Sequence, residues 1–274
     1  MKINLFNLSI IIIVIFSSCK KENDNQQQPI NLLASHIKSV TVSDTSGRVL
    51  LINTYYYDTG NRLITISDTL YSYPSGTTIF NYTFEYYTSI VILKRTNSID
   101  NQIDEKIIYN LNSSGLATSS VMIDFINSND STIQVTDTYQ YNSDGYLITR
   151  ISSLPGGAPV TASFRYLNKN IESITVSSTS ANSKQKEIYS YSTDHINTIG
   201  NLNCGVLFLG NSSYNPMIKA MDSTNYELAN YNYNYDMNKR ISRLVINGNS
   251  SQAGSNWISM PYLMSHEILT YTYY

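Results

Sequence analysis

One hairpin motif recurs along this chain, and its clearest copy reads Tyr139-Gln140-Tyr141-Asn142-Ser143-Asp144-Gly145-Tyr146-Leu147-Ile148-Thr149-Arg150-Ile151. The Tyr-x-Tyr alternation has a period of two residues, which places both aromatic side chains on one face of a β-strand. Asn or Asp followed by Gly supplies the positive φ that a tight turn requires. Leu and Ile then alternate with Thr and Arg in the returning strand. The motif therefore predicts a β-hairpin.

Further copies of this motif are spread along the chain, and they begin at Tyr55, Tyr82, Tyr109, Phe164, Tyr189 and Tyr231. Successive copies begin 25 to 30 residues apart, except that the last follows a longer interval. Such regularity indicates one supersecondary unit per period. We therefore predict an all-β fold, an antiparallel up-and-down meander of about 12 to 16 strands. Because so wide a sheet would twist and expose its edges, we expect it to curl into an open or partly closed barrel.

The first residues have the pattern of a bacterial lipoprotein signal peptide. Lys2 gives a basic start, and Leu5 to Phe16 form an apolar stretch that is too short to cross a bilayer as a helix. Two small residues then precede Cys19. We predict a signal peptide over residues 1–18 and lipidation of Cys19, which would anchor the protein to the outer membrane. A plain secretory signal with an incidental cysteine is the alternative.

Residues 19–34 contain a charged and amide-rich run with little apolar surface to bury, which predicts a flexible tether. It resembles the segments that follow the lipidated cysteine in surface-exported lipoproteins of the Bacteroidetes. Exposure on the cell surface is one expectation, and a spacer on the periplasmic face is the other. The remaining residues, 35–274, are predicted to form a single hairpin-repeat domain.

The composition excludes some classes of function. Formal net charge is −2 and only 14% of residues are charged, so we expect no nucleic-acid partner. The two cysteines do not indicate a disulfide framework. The 24 Tyr favour strands and the 31 Asn favour turns. Outward strand positions carry Thr, Ser, Asn and Arg, which argues against a barrel embedded in lipid.

The repeat resembles the tyrosine-aspartate (YD) repeats of wall-associated and Rhs-type shell proteins. It is more similar to a family of Bacteroidetes lipoproteins of unknown function, the DUF4595 group. The copy Tyr233-Asn234-Tyr235-Asp236 with Arg240-Ile241, preceded by Asn215-Pro216, is typical of that family. The resemblance covers about residues 36–274. It implies a porin-like β fold and no known catalytic residue.

The period is broken near residues 200–225, which we interpret as an insertion. It includes a short apolar piece, Cys204 to Gly210, which is expected to form a small helix that plugs or caps the sheet. One more buried strand is the alternative. The last segment, Glu267 to Tyr274, alternates cleanly and is predicted to be a closing strand that pairs back into the sheet.

Residues that could carry chemistry are few, and we predict no catalytic residue, no metal site and no cofactor. The histidines, which make no metal-binding motif, are His36, His195 and His266. Cys204 is expected to be a small buried residue rather than a nucleophile. The acids Asp100, Asp104 and Glu105 fit a solvated turn, or a carboxylate pair for glycoside hydrolysis. Residues 127–131 fit a polar loop better than a calcium site.

Trp257 is the single tryptophan, and it lies in a loop-like stretch before the final strand. An exposed indole ring is a good stacking platform for sugars, so Trp257 is the candidate ligand-binding residue. Its alternative role is to cover one end of the sheet.

The sequence predicts a non-enzymatic lipoprotein of the outer membrane or cell surface. It would act as a binding or scaffold module whose ligand is a glycan or a protein. The alternatives are a glycan-processing enzyme that uses carboxylates in the concavity of the sheet, and a purely structural envelope protein.

Overall fold

The computed structural model of the protein describes residues 36–72, 76–127, 130–178, 183–248 and 267–274. Within these ranges the chain forms sixteen β-strands. In chain order they are β1 (Ile37–Asp44), β2 (Val49–Tyr57), β3 (Leu63–Ser72), β4 (Gly76–Tyr86), β5 (Ile90–Asn97), β6 (Ile103–Leu111), β7 (Ala117–Asn127), β8 (Asp130–Tyr141), β9 (Leu147–Ser153), β10 (Val160–Leu167), β11 (Asn170–Ser178), β12 (Ser183–Tyr191), β13 (Met217–Asp222), β14 (Glu227–Tyr235), β15 (Ile241–Gly248) and β16 (Glu267–Tyr273).

Every strand pairs antiparallel with its neighbours in sequence, and β1 pairs with β16 to close a barrel. The predicted all-β up-and-down meander is therefore confirmed, and the sheet closes completely. In the closing pair Val40 lies opposite Tyr271, and Val42 lies opposite Leu269. Across the part of the chain that the structure describes, there is no helix long and apolar enough to span a bilayer.

Four of the repeat turns are each built around one Asx residue, namely Asp58, Asn112, Asn142 and Asp236. In the clearest copy, Asn142 Oδ1 accepts hydrogen bonds from the backbone N–H groups of Asp144 at 3.1 Å and Tyr146 at 2.9 Å. Gly145 has a φ of +78°, and the strand register shifts just before the turn, between Gln140 and Tyr141. This combination is a turn closed by a bulge, and it tightens the local twist of the barrel.

Strand alternation separates an inner face from an outer face. On β2, Leu51, Asn53 and Tyr55 are buried inside, while Thr54 and Tyr56 between and beyond them point outward. The same period runs through the other repeats, which is why the first tyrosine of each Tyr-x-Tyr pair is a core residue.

The barrel has two ends with different construction. We call the end at which the odd-numbered strands begin the capped end, and the opposite one the far end. The repeat turns, the start of β1 and the end of β16 all lie at the capped end. The far end carries the intervening turns, such as residues 45–48 and 223–226.

Tyrosines at the capped end tie neighbouring strands together. The hydroxyl of Tyr57, at the end of β2, donates to the carbonyl oxygen of Ile37 at the start of β1, at 2.8 Å. Tyr86 donates in the same way to Leu63 (2.8 Å), and Tyr273 donates to Ile241 (2.7 Å). Tyrosine suits this position because its ring is apolar and its tip is polar. The second tyrosine of the motif is thus a clamp at the rim.

Residues 192–216, which we call the cap, cross the capped end. They contain one 3-10 turn, Leu207–Leu209, and are otherwise irregular. The chain then enters β13, so the range 200–225 that the sequence marks as an insertion divides into cap and strand. The ends of the cap meet, because the N–H of Ser192 donates to Pro216 O at 3.0 Å and that of Asn197 donates to Tyr214 O at 2.8 Å.

Successive residues of the cap contact the strands in the order in which the strands are arranged around the capped end. Thr198 Oγ1 accepts from the N–H of Ile241, on β15, at 2.9 Å. The carbonyl oxygens of Asn203 and Gly205 accept from the N–H groups that begin β1 and β3, each at 3.2 Å. Phe208 packs on Tyr109 and Tyr86, and the last contacts are made by the N–H groups of Asn211, to Gly145 O (2.8 Å), and Tyr214, to Lys169 O (3.1 Å). The cap is therefore attached to the barrel at points all around the capped end.

Replacing Gly205 tests how closely the cap must approach the barrel. Gly205 has a φ of +69°, and an added Cβ would lie 2.7 Å from Leu63 N and 2.8 Å from Asn61 O. Gly115 is the matched control, because its φ is +78° but nothing lies within 4 Å of its Cβ position. We expect Gly115→Ala to cost about 1 kcal/mol in the free energy of unfolding. Gly205→Ala should cost about 2–4 kcal/mol because the cap must also shift.

Urea unfolding of the two variants and the wild type measures the difference. Equal losses in Gly115→Ala and Gly205→Ala would show that the cap does not depend on this close approach.

Candidate functional site

The interior of the barrel is filled at the capped end and accessible toward the far end. Inward residues near the cap, such as Tyr55, Phe84 and Tyr109, are buried. Near the far end some inward residues are exposed, such as Leu70 and Val160 at 37% each, and others are buried, such as Val42 at 2% and Leu51 at 3%. The barrel is thus built as a cup whose closed end is the cap.

A set of inward side chains, all polar except Phe80, lines one side of this cup, on β2 to β7. We call this set the inner wall, and its members are Asn53, Asp68, Phe80, Arg95, Glu105 and Asp124. They face inward because they are in phase with the buried residues of the same strands, as Asp68 lies two positions after Ile66 on β3. Neighbouring members lie directly opposite one another in the sheet, as Asn53 does to Asp68 and Glu105 does to Asp124.

Asp68 and Asn53 are the most buried members of the inner wall, with exposed fractions of 3% and 4%. Neither Asp68 Oδ1 nor Asn53 Oδ1 has a hydrogen-bond partner within the described ranges. Burial raises the pKa of the Asp68 carboxyl from its ordinary 3.8 to about 6, and the charge of Arg95 opposes this only in part. Two acceptor oxygens therefore lie side by side inside the barrel without a donor among the described residues.

Arg95 is shared among several carboxylates. Its Nη1 lies 3.4 Å from Glu105 Oε2, its Nε lies 3.8 Å from Asp104 Oδ2, and its guanidinium carbon lies 5.5 Å from the centre of the Phe80 ring. Burial raises the pKa of Glu105, the charge of Arg95 lowers it, and the facing Asp124 raises it further. Carboxylates outnumber cations on the inner wall, so the electrostatic potential there is negative.

A second polar network, on β7 to β9, has no such surplus. Arg150 forms two parallel hydrogen bonds with the Asp137 carboxylate, each 3.0 Å long. Ser152 and Tyr139 donate to the same carboxylate at 2.5 Å and 3.2 Å, and Ser120 Oγ lies 2.8 Å from the Tyr139 hydroxyl. This network is paired and hydrogen-bonded, so it has the character of a structural clamp.

The residues singled out in the sequence fall in several places. Cys19, Trp257 and His266 lie outside the described residues, as does part of 127–131. His36 is buried and packs edge-on against Tyr57, with ring centres 4.7 Å apart, and His195 stacks on Tyr235 at 3.8 Å.

The other candidates are distributed between the cap and the β5–β6 region. Cys204 is buried in the cap, as expected of a small apolar residue. Asp100 belongs to the β5–β6 turn, where its Oδ1 accepts from the N–H of Gln102 at 3.0 Å. Asp104 and Glu105 meet at Arg95 instead of lying in a solvated turn, which corrects the preferred interpretation of these two acids.

Sequence reasoning missed Asn53, Asp68 and Arg95. A signal for the first two was present, because Asn53 interrupts Leu51 and Tyr55, and Asp68 interrupts Ile66 and Leu70, at positions that share the apolar face. A polar residue in phase with a buried stripe marks a polar site inside a β-barrel. The described residues contain no group of three or more His, Cys, Asp or Glu side chains placed to hold a metal ion.

Asp68→Asn should change stability in a pH-dependent way. Because the pKa of the folded carboxyl is higher than that of the unfolded chain, the ionised form weakens the fold above about pH 6, and this cost fades as the pH falls toward 4. We expect Asp68→Asn to raise the free energy of unfolding by on the order of 1–2 kcal/mol at pH 8 and to leave it nearly unchanged at pH 4.5.

Asp137→Asn is the matched control, since it removes a carboxylate that is fully paired with Arg150. It should lower the free energy of unfolding at pH 8 by about 2 kcal/mol. Urea titrations at both pH values measure both variants. A loss of stability in Asp68→Asn at pH 8 would contradict the assignment of Asp68 as an uncompensated buried charge.

Comparison with known proteins places the fold among solved structures. No protein-family model matches the chain, and no curated protein matches it. The structure is similar to a porin-like protein from Bacteroides uniformis ATCC 8492, with 14% identity, a TM-score of 0.61, and coverage of 87% of this chain and 98% of that one. It is also similar to a porin-like protein from Bacteroides vulgatus ATCC 8482, with 12% identity, a TM-score of 0.52 and the same coverage of both chains. These likenesses show a shared β-barrel fold, while membership of the DUF4595 group stays a prediction.

Proposed function

We propose that this protein is a non-enzymatic lipoprotein of the outer membrane whose capped barrel binds a ligand from the far end. The observation that carries the proposal is the contrast between the two halves of the barrel interior. The capped half is packed with aromatic side chains, whereas the far half has some partly exposed inward residues, such as Leu70 and Val160, next to a polar wall. A channel would need both ends open, whereas a cup needs only one.

The position of the predicted anchor supports this orientation. The first strand begins at Ile37, at the capped end, and Cys19 is 17 positions before His36. That length of chain spans at most about 60 Å. The predicted tether would join the barrel at its capped end and leave the far end free to meet a ligand.

The outer face of the barrel supports a location outside the lipid. It carries ion pairs between Lys94, in the middle of β5, and Glu85, between Arg165 Nε and Glu172 Oε2 at 2.6 Å, and between Lys219 Nζ and Glu227 Oε2 at 2.8 Å. A basic side chain that faces lipid at the bilayer centre costs about 2–4 kcal/mol. The lipid anchor, and not the barrel wall, is therefore the proposed contact with the membrane.

The ligand is proposed to be a glycan or a protein. Trp257, in the segment between β15 and β16, is the proposed stacking residue, because that segment joins strands at the far end. The alternative of glycan hydrolysis would use Glu105, whose raised pKa and facing Asp124 resemble an acid–base pair. Arg95 already holds Glu105 in an ion pair, which favours binding over catalysis.

Substitution of Cys19 tests the anchor. In cells fed a labelled fatty acid, the wild-type chain should take up the label and sediment with the outer membrane. Cys19→Ala should lose both, because the thiol that accepts the lipid is gone. Label retained by Cys19→Ala would overturn the anchor, and Cys204→Ala, with its buried thiol, is the control that should keep the label.

Migration in native gels that contain soluble polysaccharides tests the ligand. The full chain carrying Cys19→Ala should be retarded by at least one glycan, and Trp257→Ala should remove the retardation. Tyr226→Ala removes an aromatic ring that is 70% exposed in the β13–β14 turn, also at the far end, and should leave the retardation intact. No retardation by any glycan would eliminate the glycan ligand in favour of a protein, and release of reducing sugar would overturn the non-enzymatic role.

A further inference from the structure

The orphan acceptors of the inner wall have a surrounding that matches one chemical group. Asn53 Oδ1 and Asp68 Oδ1 lie on facing strands, both buried and both without a donor in the described part of the chain. Tyr271 is on the same interior row, since it pairs with Val40, which in turn pairs with Asn53. The Tyr271 hydroxyl is also buried without a partner among the described residues. Asn53 and Asp68 thus present two acceptor oxygen atoms without donors on facing strands, and Tyr271 lies two strands away from Asn53 in the same row.

Charge distinguishes this region from an ordinary buried polar site. The Asp68 carboxylate is buried, and the cation that acts on it is Arg95, which is shared with Glu105 and Asp104 and whose Nε has no hydrogen-bond partner in the described ranges. A buried anion without a full counter-charge is costly, and a cation that enters beside it recovers that cost. The hydrogen-bond partner that would compensate the buried Asp68 carboxylate is therefore a positively charged donor and not a neutral one.

The layer between this region and the far end is aliphatic. One inward step along the strands, Leu51 lies opposite Leu70, and Val42 pairs with both Leu51 and Leu269. Leu51 is 3% exposed, whereas Leu70 is 37% exposed and forms the surface of this layer. A ligand that reaches Asp68 from the far end must therefore pass this aliphatic layer, which we call the collar. The part of the ligand that crosses the collar must be narrow and apolar, like a chain of methylene groups.

We infer that Asn53 and Asp68 form a binding site for a primary alkylammonium group, inserted from the far end through the aliphatic layer around Leu70. An ammonium can donate to both oxygen atoms and supplies the positive charge that favours the Asp68 carboxylate, and its alkyl stem matches the apolar layer. A lysine side chain and a free linear amine share this chemistry. The inference deepens the proposed function, because it assigns a ligand group to the cup of the binding module.

Calorimetric titration with 1,5-diaminopentane tests the site on the full chain carrying Cys19→Ala at pH 8. We expect saturable binding, and no binding of 1,5-pentanediol, which has the same length without charge. Asp68→Asn should weaken the diamine at least tenfold. Asp144→Asn, which changes an exposed carboxylate in a turn at the capped end, should leave the affinity unchanged.

A second variant separates the site from the stability of the fold. Leu70→Phe enlarges the collar and keeps Asp68, so it should block the diamine while the far-ultraviolet circular dichroism of the barrel is retained. Titration with Nα-acetyl-lysinamide distinguishes a lysine side chain from a free amine as the natural ligand. Binding of this compound assigns the site to lysine side chains. If the diamine binds and this compound does not, the site is assigned to free amines.

Two results would overturn the inference. One is the absence of diamine binding to the wild type, which would leave a buried water as the partner of Asn53 and Asp68. The other is diamine binding that Asp68→Asn does not weaken. Retardation by a glycan together with no diamine binding would reject this site alone, whereas diamine binding without any glycan would retain it and reject the glycan ligand.

Discussion

The pairing of β1 with β16 is the constraint on which the rest of the structure depends. It turns a meander with two exposed edges into a closed sheet without any edge, which removes the usual route to strand-by-strand association. Closure also creates a geometric demand. About eight strands enclose a space that side chains can fill, whereas barrels of sixteen strands are wide enough for an aqueous interior. A sixteen-stranded barrel must therefore either stay hollow or supply extra material, and this one uses the cap and long aromatic side chains.

Much of this arrangement could be predicted from local pattern. Asn142 and Gly145 reveal a turn because only certain residues make that geometry, and the alternation of Tyr139 and Tyr141 reveals the strand before it. Full closure could not be predicted, since the register of Val40 against Tyr271 joins residues at opposite ends of the domain and has no local signature. The path of the cap is equally non-local, because each of its backbone contacts is made with a different hairpin.

The inner wall shows a different limit. Asp68 and Asp58 are alike in composition, yet one is buried and the other belongs to a solvated turn where it accepts from the N–H of Arg62. Phase along the strand distinguishes them, and that phase is trustworthy only when the bulge beside the turn is placed correctly, because each bulge shifts the alternation by one residue. The role of Arg95 is harder still to predict from the sequence, since it depends on the ion pair with Glu105 across the sheet.

The route of the cap has a consequence for the order in which the protein acquires its structure. The cap is synthesised between β12 and β13, but its first anchors include Ile241 on β15, and the rim clamp beside it uses Tyr273 on β16. These partners do not exist until the C-terminal strands have emerged. The early hairpins can form one after another from neighbouring residues, while the cap must wait for the last strand. Closing the barrel and fastening the cap are therefore a single late event, and an unfinished chain presents both a free sheet edge and an uncovered aromatic interior to its surroundings.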